Sequence, residues 1–515
     1  MFRRYCYIIS FLLLGSMMFW GCSHESEPAK PRLIITCDPE LDDQNSLIRF
    51  VAHATDFDIE GLIYASSQFH WKGDGKGTKW FVEGREYTRH GLNYGPMESW
   101  RWAEDERFID DVVDAYAEVY PNLAMHDSRY PTPEYLRSVV RFGNIEFDGE
   151  FEKDSPGSLL IEEKIMDDEP GKLFITAWGG ASTIARALRA IEEKYHATSE
   201  WETVYNKVCS KVVICLSGDQ DDTVAKYITP VWPDIESLSV SGGSVGLAYG
   251  AQHSAKAEYR HYYQPEWLTE NIYSKGALGG LYRYWGDGKQ MVEGDIFDYF
   301  GLRGYTDQEL RDMGYIVWSP VRPEGEFLAE GDTFTFLNFI DNGLRAWEDQ
   351  TYGGWAGRKR MDSPQTTVSF SDTNAIAQLY SQRQKDTALP DNYVPAAWNS
   401  FAARLQWSVT PRYEDANHYP EISAPLALEA KAGERVVLKA KASDPDGDTL
   451  SLLWRQYGVG SYSGEVAVEE PAVARTAFTI PEDAESGQNI HLVLEVTDNG
   501  EPALTRYHRV IVTVK

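Results

Sequence analysis

The chain has 515 residues, a formal net charge of −30 at pH 7 and 43% hydrophobic residues. This length and apolar content are sufficient for more than one domain and for at least one large core. The strong negative charge argues against a nucleic-acid-binding surface, because a polyanion would be repelled, and we expect no nucleic-acid partner.

The first residues are typical of a targeting signal. Arg3 and Arg4 precede an apolar run over residues 7–20 that is too short for a stable membrane-spanning helix. With Cys22 after it, this pattern resembles a bacterial lipoprotein signal, which implies cleavage after residue 21 and lipidation of Cys22. We therefore expect a cell-envelope protein, periplasmic or on the outer-membrane surface, held by lipid alone through a flexible tether at residues 22–31. A plain secretory signal or an uncleaved anchor is the alternative.

A β-α-β pattern opens the next part of the chain, for which we expect residues 32–412 to form one domain. The predicted elements, in chain order, are strand 33–37, helix 46–54, strand 59–65, strand 173–177, helix 182–195 and strand 212–216. This alternation predicts an α/β fold with a mostly parallel sheet flanked by helices. Ligands bind such sheets beyond the carboxyl ends of the strands.

The last part of the chain has a different pattern, and we place a domain boundary near Tyr413. Short segments there alternate apolar and polar residues, at 436–442, 450–456, 476–480 and 490–496. The spacing predicts an all-β immunoglobulin-like sandwich over residues 413–515.

An acidic loop within this sandwich is similar at first sight to a calcium loop. It runs from Asp444 to Asp448, with the sequence DPDGD. The twelfth position is Arg455, where an EF-hand needs a bidentate Glu. A tight turn between strands is therefore the favoured interpretation.

The most informative segment is the acidic turn after the first predicted strand. Asp38, Glu40, Asp42 and Asp43 follow one another closely between a buried strand and a helix. Such carboxylates repel each other unless a cation lies among them, and oxygen ligands suit Ca²⁺ or Mg²⁺ better than zinc. The alternative is a solvated loop or an ordinary helix cap.

This turn resembles the Asp-x-Asp-Pro-x-x-Asp-Asp signature of ribonucleoside hydrolases, with Thr36 in place of the first Asp. More closely, the chain resembles the nucleoside-hydrolase-like family whose members are often labelled cellulose-binding proteins. The segments that carry this resemblance are DPELDD, WGGASTIARAL, DQDDT, EGDTFTFLNFIDNGL, YGGWAGR, DPDGDTLSLLWRQY and LVLEVTDNGEPALTRY. The resemblance implies a nucleoside-hydrolase-like α/β fold followed by the family's β-sandwich domain.

The resemblance also implies a calcium-assisted site for cleaving glycosyl bonds. Asp38 would be both a metal ligand and the general base toward a metal-bound water. Asp43, the backbone carbonyl of Ser182 and Asp332 would complete the calcium shell, and Asp42 would bind vicinal sugar hydroxyls. Carboxylates in this arrangement stabilise the positive charge that develops on the sugar ring, and we expect inversion without a covalent intermediate.

Further residues are candidates for substrate binding. His70 and Trp71 follow the second strand and could bind a glycosyl group, although a loop histidine without a catalytic role is an equal alternative. Glu258 is similar in its context to a sugar contact of the family. Gly331 stands where relatives use a leaving-group histidine, and Glu330 could replace that acid or could lie behind the metal ligands.

Three other features have two interpretations each. Asp295 lies in a Glu-Gly-Asp motif like that of Asp332, but a cap before a helix at 296–300 is favoured. Trp355 could stack on sugars, although a core tryptophan is more common. A second acidic loop could line the pocket or cap the next helix; it carries Asp219, Asp221 and Asp222.

Two functions follow for the whole chain. The first is a hydrolase that cleaves N-glycosyl or furanosyl bonds of a carbohydrate or nucleoside, with Ca²⁺ and with Asp38 as the base. The second is a non-catalytic carbohydrate-binding envelope lipoprotein on the same fold. The missing histidine at Gly331 weakens the case for a nucleoside substrate, and the oligomeric state stays open.

Overall fold

A computed structural model describes residues 30–238, 246–349, 351–358 and 393–515. The predicted signal peptide, Cys22 and most of the predicted tether lie outside the described residues. Residues from Pro31 onward form one compact unit. Within the described ranges, no helix has both the length and the apolar character needed to cross a membrane.

Six parallel strands form the central sheet, in the order β3-β2-β1-β4-β5-β6. The strands are β1 (Arg32–Cys37), β2 (Asp58–Tyr64), β3 (Val140–Phe142), β4 (Leu173–Ala177), β5 (Val212–Leu216) and β6 (Glu236–Leu238). All residues of β1 and β4 are buried, as expected for central strands of a parallel sheet covered on both faces. The predicted mostly parallel sheet is confirmed.

Helices cover both faces of the sheet. The α-helices are α1 (Leu41–Ala52), α2 (Phe108–His126), α3 (Pro133–Ser138), α4 (Pro156–Met166), α5 (Ser182–Tyr195), α6 (Trp201–Lys211), α7 (Thr229–Val231), α8 (Ala251–Ser254), α9 (Pro265–Leu268), α10 (Gly276–Leu281), α11 (Asp307–Asp312) and α12 (Val394–Val409). Leu33 and Ile35 pack with α1, α2 and α12 on one face, whereas Ile34 packs with α4, α5 and α6 on the other. This alternation along β1 creates two separate cores.

Shorter helical turns connect these elements. The 3₁₀ turns are Ala54–Asp56, Glu86–Thr88, Ala257–Tyr263, Thr333–Thr335, Leu337–Phe339 and Tyr413–Asp415, and π-helical turns cover Val224–Ile228 and Thr269–Tyr273.

Helix α1 begins earlier than the sequence pattern predicts. It starts at Leu41 instead of residue 46, so Asp42 and Asp43 lie in its first turn. The helix N-terminus has unpaired N–H groups and a partial positive charge, which stabilise acidic side chains at this position. The second half of the acidic turn is therefore helical.

The C-terminal part is all-β, as predicted. Its strands are β7 (Glu421–Ser423), β8 (Ala427–Ala430), β9 (Arg435–Lys439), β10 (Lys441–Ser443), β11 (Ser451–Tyr457), β12 (Arg475–Thr479), β13 (Asn489–Thr497) and β14 (Thr505–Val514). They form a four-stranded sheet β11-β13-β14-β8 and the pairs β9-β12 and β7-β10. Inward-facing residues such as Trp454, Phe478 and Leu492 form the core between the strands.

The α/β part and the sandwich share a packed interface. Tyr457, Val493 and Tyr507 of the sandwich belong to the same buried apolar cluster as helices α1, α2 and α12. The buried Arg509 of β14 donates hydrogen bonds across this interface to three backbone oxygens, those of Leu344 at 2.6 Å, Tyr352 at 3.0 Å and Gly353 at 3.0 Å.

Candidate active site

The candidate site lies where the strand order of the sheet reverses. Asp38 follows β1, and Gly179 and Ser182 follow its neighbour β4. The connections leave these two strands toward opposite sides, so a crevice forms at their carboxyl ends. The sheet thus brings together two segments that are far apart in the sequence.

An acidic cluster occupies this position; it comprises Asp38, Glu40, Asp42, Asp43 and Asp332. Oxygens of Glu40, Asp42 and Asp43 lie within 4.8 Å of one another, and the same holds for ligand atoms of Asp38, Glu40 and His70. The backbone N–H of Asp38 donates to Asp43 Oδ1 at 3.1 Å, and the Asp332 carboxylate lies close enough to Asp43 for the two charges to interact.

The acidic cluster is nearly closed off from solvent. Asp38 is fully buried, and Asp43 and Asp332 are only 2% and 4% exposed. Burial, together with the negative charge of Asp332, raises the pKa of both Asp42 and Asp43 well above the usual value. Burial also raises the pKa of Asp332 and Glu40. A cation among these carboxylates would offset both effects.

Asp38 is held in a fixed orientation by two neighbours. Its Oδ2 atom accepts a hydrogen bond from Ser67 Oγ at 2.5 Å and faces His70 Nδ1 at 3.0 Å. Its Oδ1 atom is buried and has no hydrogen-bond partner within the described structure. A buried carboxylate oxygen without a donor is costly, and a bound cation is one way to satisfy it.

The residues present fit Ca²⁺. The side-chain donors of the acidic cluster are carboxylate oxygens, which are the ligands that Ca²⁺ prefers. Ser182 begins α5 and is fully buried, and its N–H donates to Asp221 Oδ2 at 2.9 Å, which fixes the loop after β4. Asp38 Oδ1 is the atom most in need of a positive partner.

Two glycines allow the surrounding loops to approach the carboxylates. A Cβ atom at Gly179 would lie 2.7 Å from Asp38 Oδ1, and one at Gly331 would lie 2.2 Å from Asp42 Oδ2. Both distances are too short for a side chain, so glycine is required at these positions unless the carboxylates move.

An aromatic rim lies beside Asp42; it consists of Tyr249 and Trp318. The Tyr249 hydroxyl faces Asp42 Oδ1 at 3.4 Å, and the Trp318 ring meets Tyr249 edge to face with centroids 4.8 Å apart. Trp318 is 44% exposed. Sequence reasoning missed both residues because neither belongs to a motif and only tertiary packing brings them to Asp42.

The structure separates His70 from Trp71. His70 is buried against Asp38, as described above. Trp71 is fully buried in an aromatic cluster with Tyr87 and Phe147, so its ring faces are covered by protein. The assignment of Trp71 to substrate binding is therefore corrected to a core role.

Of the two roles expected for Glu330, the structure supports the one behind the metal ligands. It is fully buried and pairs with Arg49 of α1, at 2.5 Å from Nε and 2.8 Å from Nη2. Tyr282 and Thr333 donate their hydroxyls to the same carboxylate at 2.5 and 2.9 Å. Four donors occupy its oxygens, so Glu330 supports the structure beneath the acidic cluster and does not face a substrate.

The remaining candidates lie away from the acidic cluster or have structural partners. Glu258 is exposed in the 3₁₀ turn Ala257–Tyr263, beside Tyr259. Asp295 accepts from the Phe297 N–H at 2.9 Å and pairs with Arg101 at 2.8 Å. Residues 296–300 are irregular, with a bend and the start of a turn instead of the expected helix.

The second acidic loop and Trp355 have structural roles as well. Asp219 accepts hydrogen bonds from the N–H groups of Val224 and Ala225, so it caps the helical turn that follows, which was the second interpretation. Asp221 accepts a hydrogen bond from the N–H of Ser182. Trp355 is only 1% exposed and is a core residue.

The comparisons with known proteins first define the class of fold. A solved structure of a nucleoside hydrolase-related hypothetical protein from Saccharophagus degradans, described as associated with carbohydrate metabolism, is 25% identical. The alignment covers 95% of this chain and 100% of that chain, with a TM-score of 0.66. The chain therefore has a nucleoside-hydrolase-like fold.

The family follows from two matches. Residues 32–358 match the family described as "Cellulose-binding Sde182, nucleoside hydrolase-like domain", and residues 435–514 match "Cellulose-binding protein Sde0182, C-terminal domain". The first match covers more than half of the chain, so the protein belongs to this family. No curated protein matches the sequence.

Two other solved structures align with a small part of the chain. Murine CRIg is 14% identical and the titin M3 domain is 17% identical, and each alignment covers 19% of this chain. The alignments cover 99% and 96% of those chains, and the TM-scores of 0.15 and 0.14 are too low to indicate a shared overall fold.

Proposed function

We propose that this protein hydrolyses glycosyl bonds, N-glycosyl or furanosyl, with Asp38 as the general base. The observation that carries the proposal is the unpartnered Oδ1 atom of Asp38, buried among converging carboxylates at the switch point of the sheet. An oxygen in that position is placed to accept a proton from a water molecule.

The chain's own residues perform most of the proposed work. Asp38, Asp43, Asp332 and the Ser182 carbonyl would hold Ca²⁺, which when bound orients a water and makes it easier to deprotonate. Ser67 and His70 hold Asp38 Oδ2, so Oδ1, which has two acceptor lone pairs, would face both the ion and the water that gives up its proton. The carboxylates together stabilise positive charge on the sugar ring as the glycosyl bond breaks.

Asp42 and the aromatic rim would bind the sugar. Asp42 is 7% exposed and borders the rim, so its carboxylate is placed to accept hydrogen bonds from vicinal hydroxyls. Trp318 presents a partly exposed indole ring next to it, which suits stacking against a sugar. The family's cellulose-binding description, and Gly331 in place of the leaving-group histidine, favour a carbohydrate over a nucleoside.

The test is hydrolysis of a substrate panel by the purified mature protein. Nucleosides, furanosides and plant oligosaccharides are incubated with Ca²⁺ or with a chelator, and products are followed by chromatography. We expect calcium-dependent hydrolysis that falls at least 100-fold in Asp38→Asn, because general-base catalysis contributes roughly 10²–10⁴-fold. Asp168→Asn is the matched control, since Asp168 is fully exposed. Full activity in Asp38→Asn would disprove the base assignment.

A second function, carbohydrate binding without catalysis, is supported by the family description and by Gly331 in place of the leaving-group histidine. In that case oligosaccharide binds without product formation. Trp318→Ala then weakens the binding, and neither the unmodified protein nor Asp38→Asn forms product. Calorimetric titration of both variants with the same oligosaccharides distinguishes the two functions.

For localisation we propose a lipid anchor on Cys22 in the bacterial cell envelope. The support is the sequence pattern of two arginines, a short apolar run and this cysteine. Mass spectrometry of the mature N-terminus should find an acylated Cys22, and Cys22→Ser should move the protein from the membrane fraction to the soluble fraction.

A further inference from the structure

Three buried oxygens at one end of the C-terminal sandwich have no hydrogen-bond partner within the described structure. They are Asn417 Oδ1, Asp444 Oδ2 and Asp498 Oδ2. Asp498 as a whole is only 5% exposed. Since nearly all buried polar atoms are hydrogen-bonded, three unpartnered oxygens in connected segments need an explanation.

The other polar atom of each of these side chains already has two or more hydrogen-bond partners. Asp498 Oδ1 accepts from the N–H groups of Gly500 and Leu504 at 3.0 and 2.9 Å. Asp444 Oδ1 accepts from the N–H groups of Asp446 and Asp448 at 2.9 and 3.0 Å. These bonds fix both carboxylates, so their second oxygens cannot rotate away to reach solvent or a donor.

Asn417 is fixed in the same way. Its amide nitrogen donates to Asp498 Oδ1 at 3.2 Å and to the Pro502 carbonyl at 2.8 Å. These two acceptors identify the nitrogen, so the remaining atom is the oxygen. That oxygen is an acceptor only, like the two free carboxylate oxygens.

Hydrogen bonds join the three segments that carry these oxygens. Asn417 bonds to Asp498 directly, and the neighbouring His418 donates its N–H to Asp446 Oδ2 at 2.7 Å. The N–H of Thr449 donates to Asn499 Oδ1 at 2.6 Å. The turns 444–448 and 498–504 and the segment at Asn417 therefore form one connected structure.

No basic side chain within the described residues pairs with the carboxylates of Asp444 and Asp498. Burial, followed by the negative charge of Asp444, raises the pKa of Asp498, which indicates that the two carboxylates interact. The two carboxylate oxygens and the amide oxygen of these hydrogen-bonded segments are all acceptors, and a cation among them would satisfy all three.

We propose that the C-terminal sandwich binds a calcium ion through Asn417, Asp444 and Asp498. All three ligands are hard oxygens, two of them charged, which suits Ca²⁺ better than a transition metal. Backbone oxygens or water complete the six to eight ligands that Ca²⁺ takes. The loop 444–448 is then both a tight turn and a ligand-bearing segment, without being an EF-hand. The ion would link Asn417, at the start of the sandwich, to the turns 444–448 and 498–504. This inference does not depend on the proposed catalytic function.

The test is metal binding in the full mature chain carrying Asp43→Asn, which disables the acidic cluster of the α/β part. Terbium(III) replaces calcium at oxygen sites and luminesces when a nearby tryptophan is excited. Trp407 is placed for this, because its indole N–H donates to the Asn417 carbonyl at 2.8 Å. We expect one bound Tb³⁺ per chain that Ca²⁺ displaces, and a matching heat signal when Ca²⁺ alone is titrated.

Asp498→Asn and Asp444→Asn, each added to Asp43→Asn, should weaken Ca²⁺ binding at least tenfold. Glu501→Gln is the matched control, because Glu501 is an exposed carboxylate of the same turn as Asp498 and its change removes the same charge. The inference is overturned if the Asp43→Asn protein binds neither ion, or if the two aspartate variants bind like the control. Should Asp498→Asn fail to fold, Asp444→Asn decides the outcome alone.

Discussion

Gly331 determines how closely its segment approaches Asp42, and a methyl group there is sufficient to disturb the site. In Gly331→Ala the new Cβ would lie 2.2 Å from Asp42 Oδ2, so the carboxylate has to move. We expect sugar binding or hydrolysis to fall at least tenfold while the circular dichroism spectrum stays unchanged. Gly280→Ala in α10 is the control, because a Cβ there meets open space. Equal activity of both variants would contradict the assigned position of Asp42.

The buried pair Arg49–Glu330 gives a prediction about stability. Glu330→Gln removes the only charge within hydrogen-bond distance of Arg49 in the described structure and leaves the guanidinium buried between Trp398 and Phe401. The unfolding free energy should decrease by about 3–5 kcal/mol, as for other broken buried pairs. Urea unfolding followed by tryptophan fluorescence measures this change, with the exposed Glu429→Gln as the control. A stable Glu330→Gln protein without activity would instead support a direct role in catalysis.

At the scale of single residues, the sequence predicted the contiguous part of the site. Asp38, Asp42 and Asp43 are neighbours in one motif, so a local pattern was sufficient to find them. Tyr249 and Trp318 were missed because packing between distant segments creates the rim. For Glu330 the sequence left two roles open, because adjacency to Asp332 does not show which way each side chain points.

At the scale of elements, the strands were easier to predict than the helix start. The apolar runs of β1, β4 and β5 stand out because these strands are buried on both faces. The first turn of α1 is not recognisable as helical from its sequence, because aspartate is a weak helix former in general. Position at the N-terminus, not intrinsic propensity, makes Asp42 and Asp43 helical.

Strand β13 carries a histidine that should make the sandwich sensitive to acid. Arg509 donates to His491 Nδ1 at 3.1 Å, so the ring must be neutral there. Burial, followed by the Arg509 charge, lowers the pKa of His491 from 6.5 to about 4. Between these values the unfolded chain binds the proton and the folded chain does not, so stability decreases as pH falls from 6.5 toward 4.

The measurement is urea unfolding at several pH values between 7 and 4. His491→Asn keeps an acceptor for Arg509 but cannot titrate, so its stability should fall less on acidification than that of the unmodified protein. His253→Asn changes an exposed histidine and should follow the unmodified protein. If His491→Asn loses stability just as steeply, another group is responsible.

At the scale of the whole molecule, the order of fold types along the chain was predictable, but the contact between the two parts was not. A repeating β-α pattern and an alternating β pattern each indicate their own architecture from local sequence. The interface depends on Arg509, Tyr457 and Tyr507, which have the sequence pattern of ordinary strand residues. They gain their role only when the sandwich packs on the segments 343–349 and 351–353.

This interface predicts that the two parts unfold together. Calorimetry should show one transition for the mature protein. Arg509→Met leaves three backbone oxygens without their donor, so we expect a lower Tm and two separate transitions. Arg435→Met, on an exposed pair with Glu469, is the control and should keep one transition. Two transitions in the unmodified protein would show that the interface is weak.

The Arg49–Glu330 pair joins residues that are 281 positions apart. A ribosome therefore releases α1, with its arginine and its two first-turn aspartates, long before the glutamate that neutralises this arginine has been made. The amino-terminal third of the chain therefore cannot complete this buried pair by itself, and Arg49 has no neutralising partner there until the later segment folds onto α1.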